Sequence, residues 1–218
     1  MSKKTKQNNT DTFFYEKKFA DAGYDTIAGI DEAGRGPLAG PVVAGAVIVV
    51  DADFDERIDD SKKLTERMRE RAFIEILNKC IVGIGSVSVE EVDRLNIFNA
   101  TLLAMKKAVE DLDRKPNYLL IDGRMNVHLA QPRTCLIRGE SKSLSIACAS
   151  IAAKVFRDRV MIDEDKRYPA YGFKQHKGYG TKKHMEAIRI HGLSPIHRTT
   201  FGPFGDSKKK KKRGPYEL

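Results

Sequence analysis

Two apolar, β-rich runs, residues 27–30 and 42–50, flank the stretch Asp31-Glu32-Ala33-Gly34-Arg35-Gly36-Pro37-Leu38-Ala39-Gly40-Pro41. A short strand that ends in two adjacent acids and a glycine-rich turn leaves the chain few options. Neighbours in a strand point to opposite faces, so Asp31 and Glu32 can serve one site only if the chain bends there. Gly34 and Gly36 permit that bend. Arg35, held between the two glycines, can aim a guanidinium while bare backbone N–H groups approach an anion. Carboxylates, glycines and an arginine together point to a metal and phosphate site, the alternative being a polar turn between strands.

The rest of the chain supplies elements to build around this turn. Residues 81–87 form a third β-rich run, which predicts an initial antiparallel meander. Thr65 is placed to cap a helix through Asn78, with Met68, Ala72, Phe73, Ile76 and Leu77 at helical spacing. Ser88-Val89-Glu90-Glu91 has the form of a capping box opening a helix to about Asp113, with Leu102, Met105, Val109 and Leu112 as its apolar stripe. Residues 118–121 read as a buried strand delivering Asp122, and 134–137 as a further strand. An Ala- and Ser-rich helix is expected from Ser143 to about Met161, suited to close packing on a sheet. Residues 168–180 read as a loop, and Thr181 opens a last helix ending near Gly192. Phe13, Phe14, Tyr15 and Phe19 predict a short helix packed on the body. No repeat and no long linker is present, so one α/β body with a helical C-terminal portion is expected.

Two more acids stand at element junctions. Asp122 follows four apolar residues and precedes Gly123, at the end of a strand, where α/β sheets present functional groups; an Asx-turn or a helix cap is the plainer reading. Glu140 lies just before the Ala-rich helix, whose N-terminus favours an ionised carboxylate; a surface acid beside Lys142 is the plainer reading. An all-oxygen set with no supporting cysteine suits Mg²⁺ or Mn²⁺ rather than zinc. His176, His184, His191 and His197 match no tight zinc-ligand spacing. Cys80, Cys135 and Cys148 form no CxxC pair and read as small buried hydrophobes.

The run from Gly29 to Val43, with Asp60-Ser61-Lys62-Lys63-Leu64, Ile121-Asp122-Gly123 and Gly139-Glu140-Ser141-Lys142-Ser143, closely resembles bacterial ribonuclease HII. The likeness continues through Ser145-Ile146-Ala147 and residues 149–155 to Arg157-Asp158 and Tyr168-Pro169, and covers roughly residues 25–202. It implies a ribonuclease H-like mixed central sheet flanked by helices. It also implies an endonuclease that cuts the RNA strand of RNA–DNA hybrids and cuts 5′ to ribonucleotides embedded in DNA. The products would carry 3′-hydroxyl and 5′-phosphate ends, with roles in ribonucleotide excision repair and primer removal.

Asp31, Glu32, Asp122 and Glu140 are then the catalytic and metal-binding acids. The family's fourth acid is usually Asp; Glu140 adds a methylene. Phosphodiester hydrolysis needs a nucleophilic water, neutralised phosphoryl charge and a stabilised leaving oxygen, which two divalent ions about 4 Å apart can supply. Asp31 and Asp122 are expected as the shared or principal ligands. By the same resemblance Gly34, Arg35 and Gly36 grip the nucleotides at the RNA–DNA junction and Tyr168 packs on the adjoining deoxyribose. Ser61, Lys62, Lys63, Lys142 and Ser143 are candidate phosphate contacts.

Charge agrees in sign with such a substrate. The formal net charge is +9, with six consecutive basic residues at 208–213. Residues 1–10 hold three more lysines, and within the body the basic surplus gathers at 166–200, so a mildly acidic body carries one basic segment. The expected layout is an N-terminal extension (1–24, partly disordered), a catalytic body (25–205) and a disordered basic tail (206–218). No apolar run is long enough to span a bilayer and no signal-peptide core follows the N-terminal lysines, so a cytoplasmic protein is expected, and nothing demands more than a monomer.

Overall fold

The structure, a computed structural model, describes residues 12–125, 127–202 and 204. The expectations for residues 1–11 and for the 206–218 tail lie outside them. In chain order come α1 (Phe14–Asp21), β1 (Ile27–Ala33), β2 (Val42–Val49), α2 (Glu66–Lys79) and β3 (Cys80–Val87). Then follow α3 (Val89–Leu95), α4 (Ile97–Glu110), β4 (Tyr118–Asp122), β5 (Arg133–Leu136), α5 (Leu144–Arg167), α6 (Phe173–His176) and α7 (Lys182–His191).

β1, β2 and β3 form the antiparallel meander that the apolar runs predict. β4 then lies parallel to β1, with Ile30 beside Ile121, and β5 lies parallel to β4. The order β3-β2-β1-β4-β5 makes a mixed sheet with β1 at its centre. Parallel partners need a long crossover, and β2, β3 and the helices between them provide it.

Alternation along β1 decides which residues meet which helix. Ala28 and Ile30 join Leu119 and Ile121 against Ala104, Met105 and Ala108 of α4. On the other face α5 comes backbone to backbone with the sheet. A Cβ on Gly29 would run into the Ser145 backbone, and one on Gly45 would lie 2.7 Å from the Ala149 carbonyl oxygen. Glycines in the strands and small residues on the helix are thus what seat α5 so low, and any side chain at position 29 must lift it. Beside it, Phe73 and Ile76 of α2 pack with Ile151 and Val155 of α5; truncating such a buried side chain to Ala costs about 2–5 kcal/mol.

Helix ends follow the sequence signals where caps are present. Thr65 Oγ1 accepts from Met68 N, Thr181 Oγ1 from His184 N, and Ser88 with Glu91 forms the full capping box. The single helix expected from Ser88 to about Asp113 is instead two. Asn96, at φ 68°, breaks it, and its side chain caps the second piece by accepting from Phe98 N and Asn99 N. α5 outruns its expected end near Met161, and the segment expected as a loop after it holds a 3₁₀ turn, Pro169–Tyr171, and α6. Tyr171 and Phe173 stack there at 5.3 Å and bury against Ala39, Met161 and α7. Of the cysteines, Cys148 is buried and Cys80 half-buried, but Cys135, on the edge strand β5, is exposed rather than the buried hydrophobe expected. No helix among the described residues is long and apolar enough to cross a membrane.

Before the sheet, α1 docks by stacking Phe19 on Tyr118 and by burying Glu16. Glu16 Oε1 accepts from Ser143 Oγ at 2.6 Å, Ser145 N at 2.9 Å and Ser145 Oγ at 2.7 Å. A distant acid therefore caps the start of α5, where free helix amides favour an anion.

Candidate active site

β1 and β4 are in register up to Ile30 and Ile121, so the next residues, Asp31 and Asp122, leave the same end of the sheet on the α5-facing side. Adjacent strands lie about 4.8 Å apart, which brings two acids 91 positions apart in sequence into one site. Asp31 is buried; its Oδ1 accepts from Glu32 N at 2.7 Å, and Ser150 of α5 hydrogen-bonds the carboxylate. Ser150 Oγ in turn lies 3.0 Å from Ser61 Oγ. Asp122 Oδ1 accepts from Gly139 N at 2.7 Å, which ties the strand end to the 3₁₀ turn Gly139–Ser141 carrying Glu140. Arg35 Nη1 donates to Glu32 Oε1 at 3.1 Å.

Asp31, Glu32 and Glu140 are each held above the ordinary carboxylate value. Burial, then repulsion from Glu32 and Asp122, pushes Asp31 well above the usual carboxylate value against the pull of Ser150. Burial also raises Glu32, although Arg35 and Lys62 oppose it. Glu140 is raised by burial and by Asp122 beside it. That departs from the helix-stabilised anion expected at 140, because Glu16 and Ser143, not Glu140, serve the first amides of α5. Burial lowers Lys62, but Asp60, Asp31, Glu140 and Asp122 outweigh it and hold the ammonium above its ordinary value.

The donor set fits hard divalent cations: oxygen only, several negative charges, and Glu32 Oε2 buried with no hydrogen-bond partner. The acids are not closed around a cation as they stand. Among the described residues no three His, Cys, Asp or Glu side chains form a ready cage. Asp31 Oδ1, Asp122 Oδ1 and Glu32 Oε1 each accept from the protein donors just named, and each carboxylate keeps a second oxygen.

Glu32 opens onto a cleft of about 430 Å³. Gly34, Arg35, Gly36, Ser61 and Lys62 line it as expected, Ser61 largely buried. Sequence reasoning missed Ile97, Ser150, Lys154 and Tyr179, which line it too. Ser150 and Lys154 are one helical turn apart on α5, a spacing that was legible. Tyr179 stands between Gly178 and Gly180 just as Arg35 stands between Gly34 and Gly36. Tyr168 is not among the lining residues: it closes α5 and packs in the C-terminal cluster, with the Arg167 guanidinium 5.5 Å from its ring. Ser143 is fully buried, capping Ile146 N and bonding Glu16, and so is withdrawn from any phosphate. Lys142 is half-buried and outside the lining, and Lys63 pairs with Asp59 at 2.9 Å.

Three of the five histidines, His176, His184 and His197, are buried together. His197 Nδ1 accepts from Ser194 N, leaving Nε2 to donate to His184 Nε2 at 3.0 Å, while His184 Nδ1 donates to the Tyr179 carbonyl. Burial pulls His184 down to about 4, so its imidazole is neutral at neutral pH, and burial lowers His197 as well.

Fold and site together define a ribonuclease H-type hydrolase. The ribonuclease H2 of Pyrococcus horikoshii superposes with a TM-score of 0.71 at 23% identity, covering 87% of this chain and all of that one. Bst-RNase HIII, in complex with Mn²⁺, gives 0.64 at 19% identity over 87% of this chain and 71% of that one. Residues 28–203 match the profile of the family described as Ribonuclease HII. A Ribonuclease HII from Acetivibrio thermocellus is 53% identical over 188 residues, 86% of this chain and 73% of that protein. The chain belongs to the ribonuclease HII family, and it is a type II ribonuclease H, an endoribonuclease.

Proposed function

We propose that this enzyme hydrolyses the RNA strand of RNA–DNA hybrids and cuts 5′ to ribonucleotides embedded in duplex DNA, leaving 3′-hydroxyl and 5′-phosphate ends. The observation that carries this reading is the meeting of Asp31 and Asp122 at the ends of adjacent parallel strands, beside a cleft walled by Gly34, Arg35 and Gly36. Asp31 and Asp122 would be the principal holders of Mg²⁺ or Mn²⁺, with Glu32 and Glu140 completing the set; the Mn²⁺ complex of Bst-RNase HIII supports that choice. When bound, two such ions supply an activated water and neutralise charge on the phosphoryl and leaving oxygens.

The chain's own groups do the rest. Arg35, Lys62 and Lys154 face the cleft with positive charge for the phosphates. The backbone at residues 34–36 is close enough to the acids to sense a 2′-hydroxyl, the group that separates RNA from DNA. Tyr179, rather than Tyr168, is the tyrosine placed to pack on the neighbouring deoxyribose. The catalytic body spans residues 25–205, and the basic tail adds sequence-blind, salt-sensitive affinity for polyanions. Acting as a monomer in the cytoplasm, the enzyme would serve ribonucleotide excision repair and primer removal.

A labelled DNA duplex holding one ribonucleotide tests the reading. Cutting is expected on the 5′ side of that nucleotide with Mg²⁺ or Mn²⁺ and none in EDTA. An intact duplex under both metals, or equal cutting in EDTA, overturns it.

A further inference from the structure

Beneath the Gly-Arg-Gly turn lie two fully buried arginines, Arg157 from α5 and Arg198 from the C-terminal segment. Arg198 donates to the carbonyls of Gly34 (2.7 Å), Arg35 (3.2 Å), Pro37 (3.0 Å), Gly40 (2.7 Å) and Pro41 (3.1 Å), and its own N–H reaches Leu38 O at 2.8 Å. Arg157 donates to Ala39 O, Pro41 O and Lys177 O, each at 3.0 Å. Every carbonyl from residue 34 to residue 41 except that of Gly36 is therefore drawn inward by these two residues. The segment is pinned on both sides as well, by Leu38 N to Gly178 O at 2.8 Å and Gly40 N to Ile196 O at 2.9 Å.

A peptide unit whose carbonyl points one way presents the next residue's N–H the other way, so drawing the Gly34 and Arg35 carbonyls inward turns the N–H groups of Arg35 and Gly36 outward, on the side of the cleft they line. The N–H groups of Gly34, Arg35 and Gly36 are engaged by no described residue. Neither guanidinium has a carboxylate within salt-bridge distance among the described residues, so backbone carbonyls are the groups that meet both charges at close range. A lysine could not do this: its point-like ammonium lacks the planar fork that spans several carbonyls at once.

We infer that Arg198, seconded by Arg157, is a positioning residue for substrate capture: it holds the 34–41 turn so that its amides meet the nucleotide to be cut. The inference rests on the proposed function for the identity of the captured nucleotide, but not for the state of the turn.

The test compares Arg198→Lys with the parent by steady-state kinetics on the single-ribonucleotide duplex and by hydrogen–deuterium exchange. KM is expected to rise about tenfold with kcat changed little, the signature of lost binding rather than lost chemistry. Amides of residues 34–41 should exchange faster while those of 42–49 do not. An unchanged KM, or unchanged exchange at 34–41, overturns the inference. Should Arg198→Lys fail to fold, Arg157→Lys, which gives up only the bonds to Ala39, Pro41 and Lys177, takes its place in both measurements with the same expected and overturning results. If the parent leaves the duplex uncut, the proposed function falls, and the exchange result alone decides the role of Arg198.

Discussion

At the ends of β1 and β4 buried carboxylates crowd one another, whereas under the 34–41 turn two guanidiniums are buried among backbone carbonyls. The acids push each other's proton affinities upward and leave Glu32 Oε2 unpartnered. The arginines are met by carbonyl after carbonyl, and His184 and His197 are hydrogen-bonded at both ring nitrogens. Burial still depresses Arg157 to about 10 and Arg198 to about 9, which leaves both charged at neutral pH. On the proposed function the first region is the one that takes up cations; the second is satisfied by the chain itself. Electrostatic frustration thus marks the place of chemistry, while satisfied burial marks the scaffold.

The contrast can be broken most decisively at Asp122. Asp122→Asn keeps an oxygen for Gly139 N but removes the charge, so cleavage should fall about a thousandfold or more while the fold persists. Parent-like cutting of the ribonucleotide duplex would place the site elsewhere.

A smaller effect sharpens the other side. His184 is held near 4, below the ordinary histidine value, so the unfolded chain takes up the proton more readily. Its contribution to stability is complete above about pH 6.5 and drains away as pH falls toward 4. Denaturation midpoints measured from pH 7 to pH 4 should therefore drop more steeply for the parent than for His184→Gln, and parallel profiles would contradict a neutral His184.

The least effect is a gain. Asp31 has a raised proton affinity in the fold, so its ionised form costs stability once pH exceeds that raised value, and the cost vanishes below the ordinary carboxylate value. In EDTA at neutral pH, Asp31→Asn should melt about 3 °C or more above the parent, as expected for ~1 kcal/mol in a chain of this size. A lower melting temperature would mean that the carboxylates are not in conflict.

Much of this was legible from local signals. The strand runs, the caps at Thr65, Ser88 and Thr181, and the acids at positions 31, 32 and 122 all lie where residue type and spacing put them. The failures are of one kind. The apolar stripe continues across Asn96, so periodicity cannot announce a break made by one backbone angle. Arg198 and Lys177 counted toward a basic surface, yet both are buried, because the carbonyls that hold Arg198 come from some 160 positions earlier. Ser143 looked like a phosphate contact until Glu16, 127 residues away, was found on its hydroxyl. Tyr168 packs in the C-terminal cluster while Tyr179, between two glycines, lines the cleft, a difference set by how the chain turns after α5.

The clasp between Glu16 and the start of α5 also has a meaning for the newborn chain. Glu16 leaves the ribosome well over a hundred residues before the serines it must grip, and Ile27 waits about ninety residues for Tyr118. Such distant closures come late in folding. A polypeptide still under synthesis therefore cannot bring Asp31 beside Asp122, or close the 34–41 turn on Arg198, until those later residues have emerged.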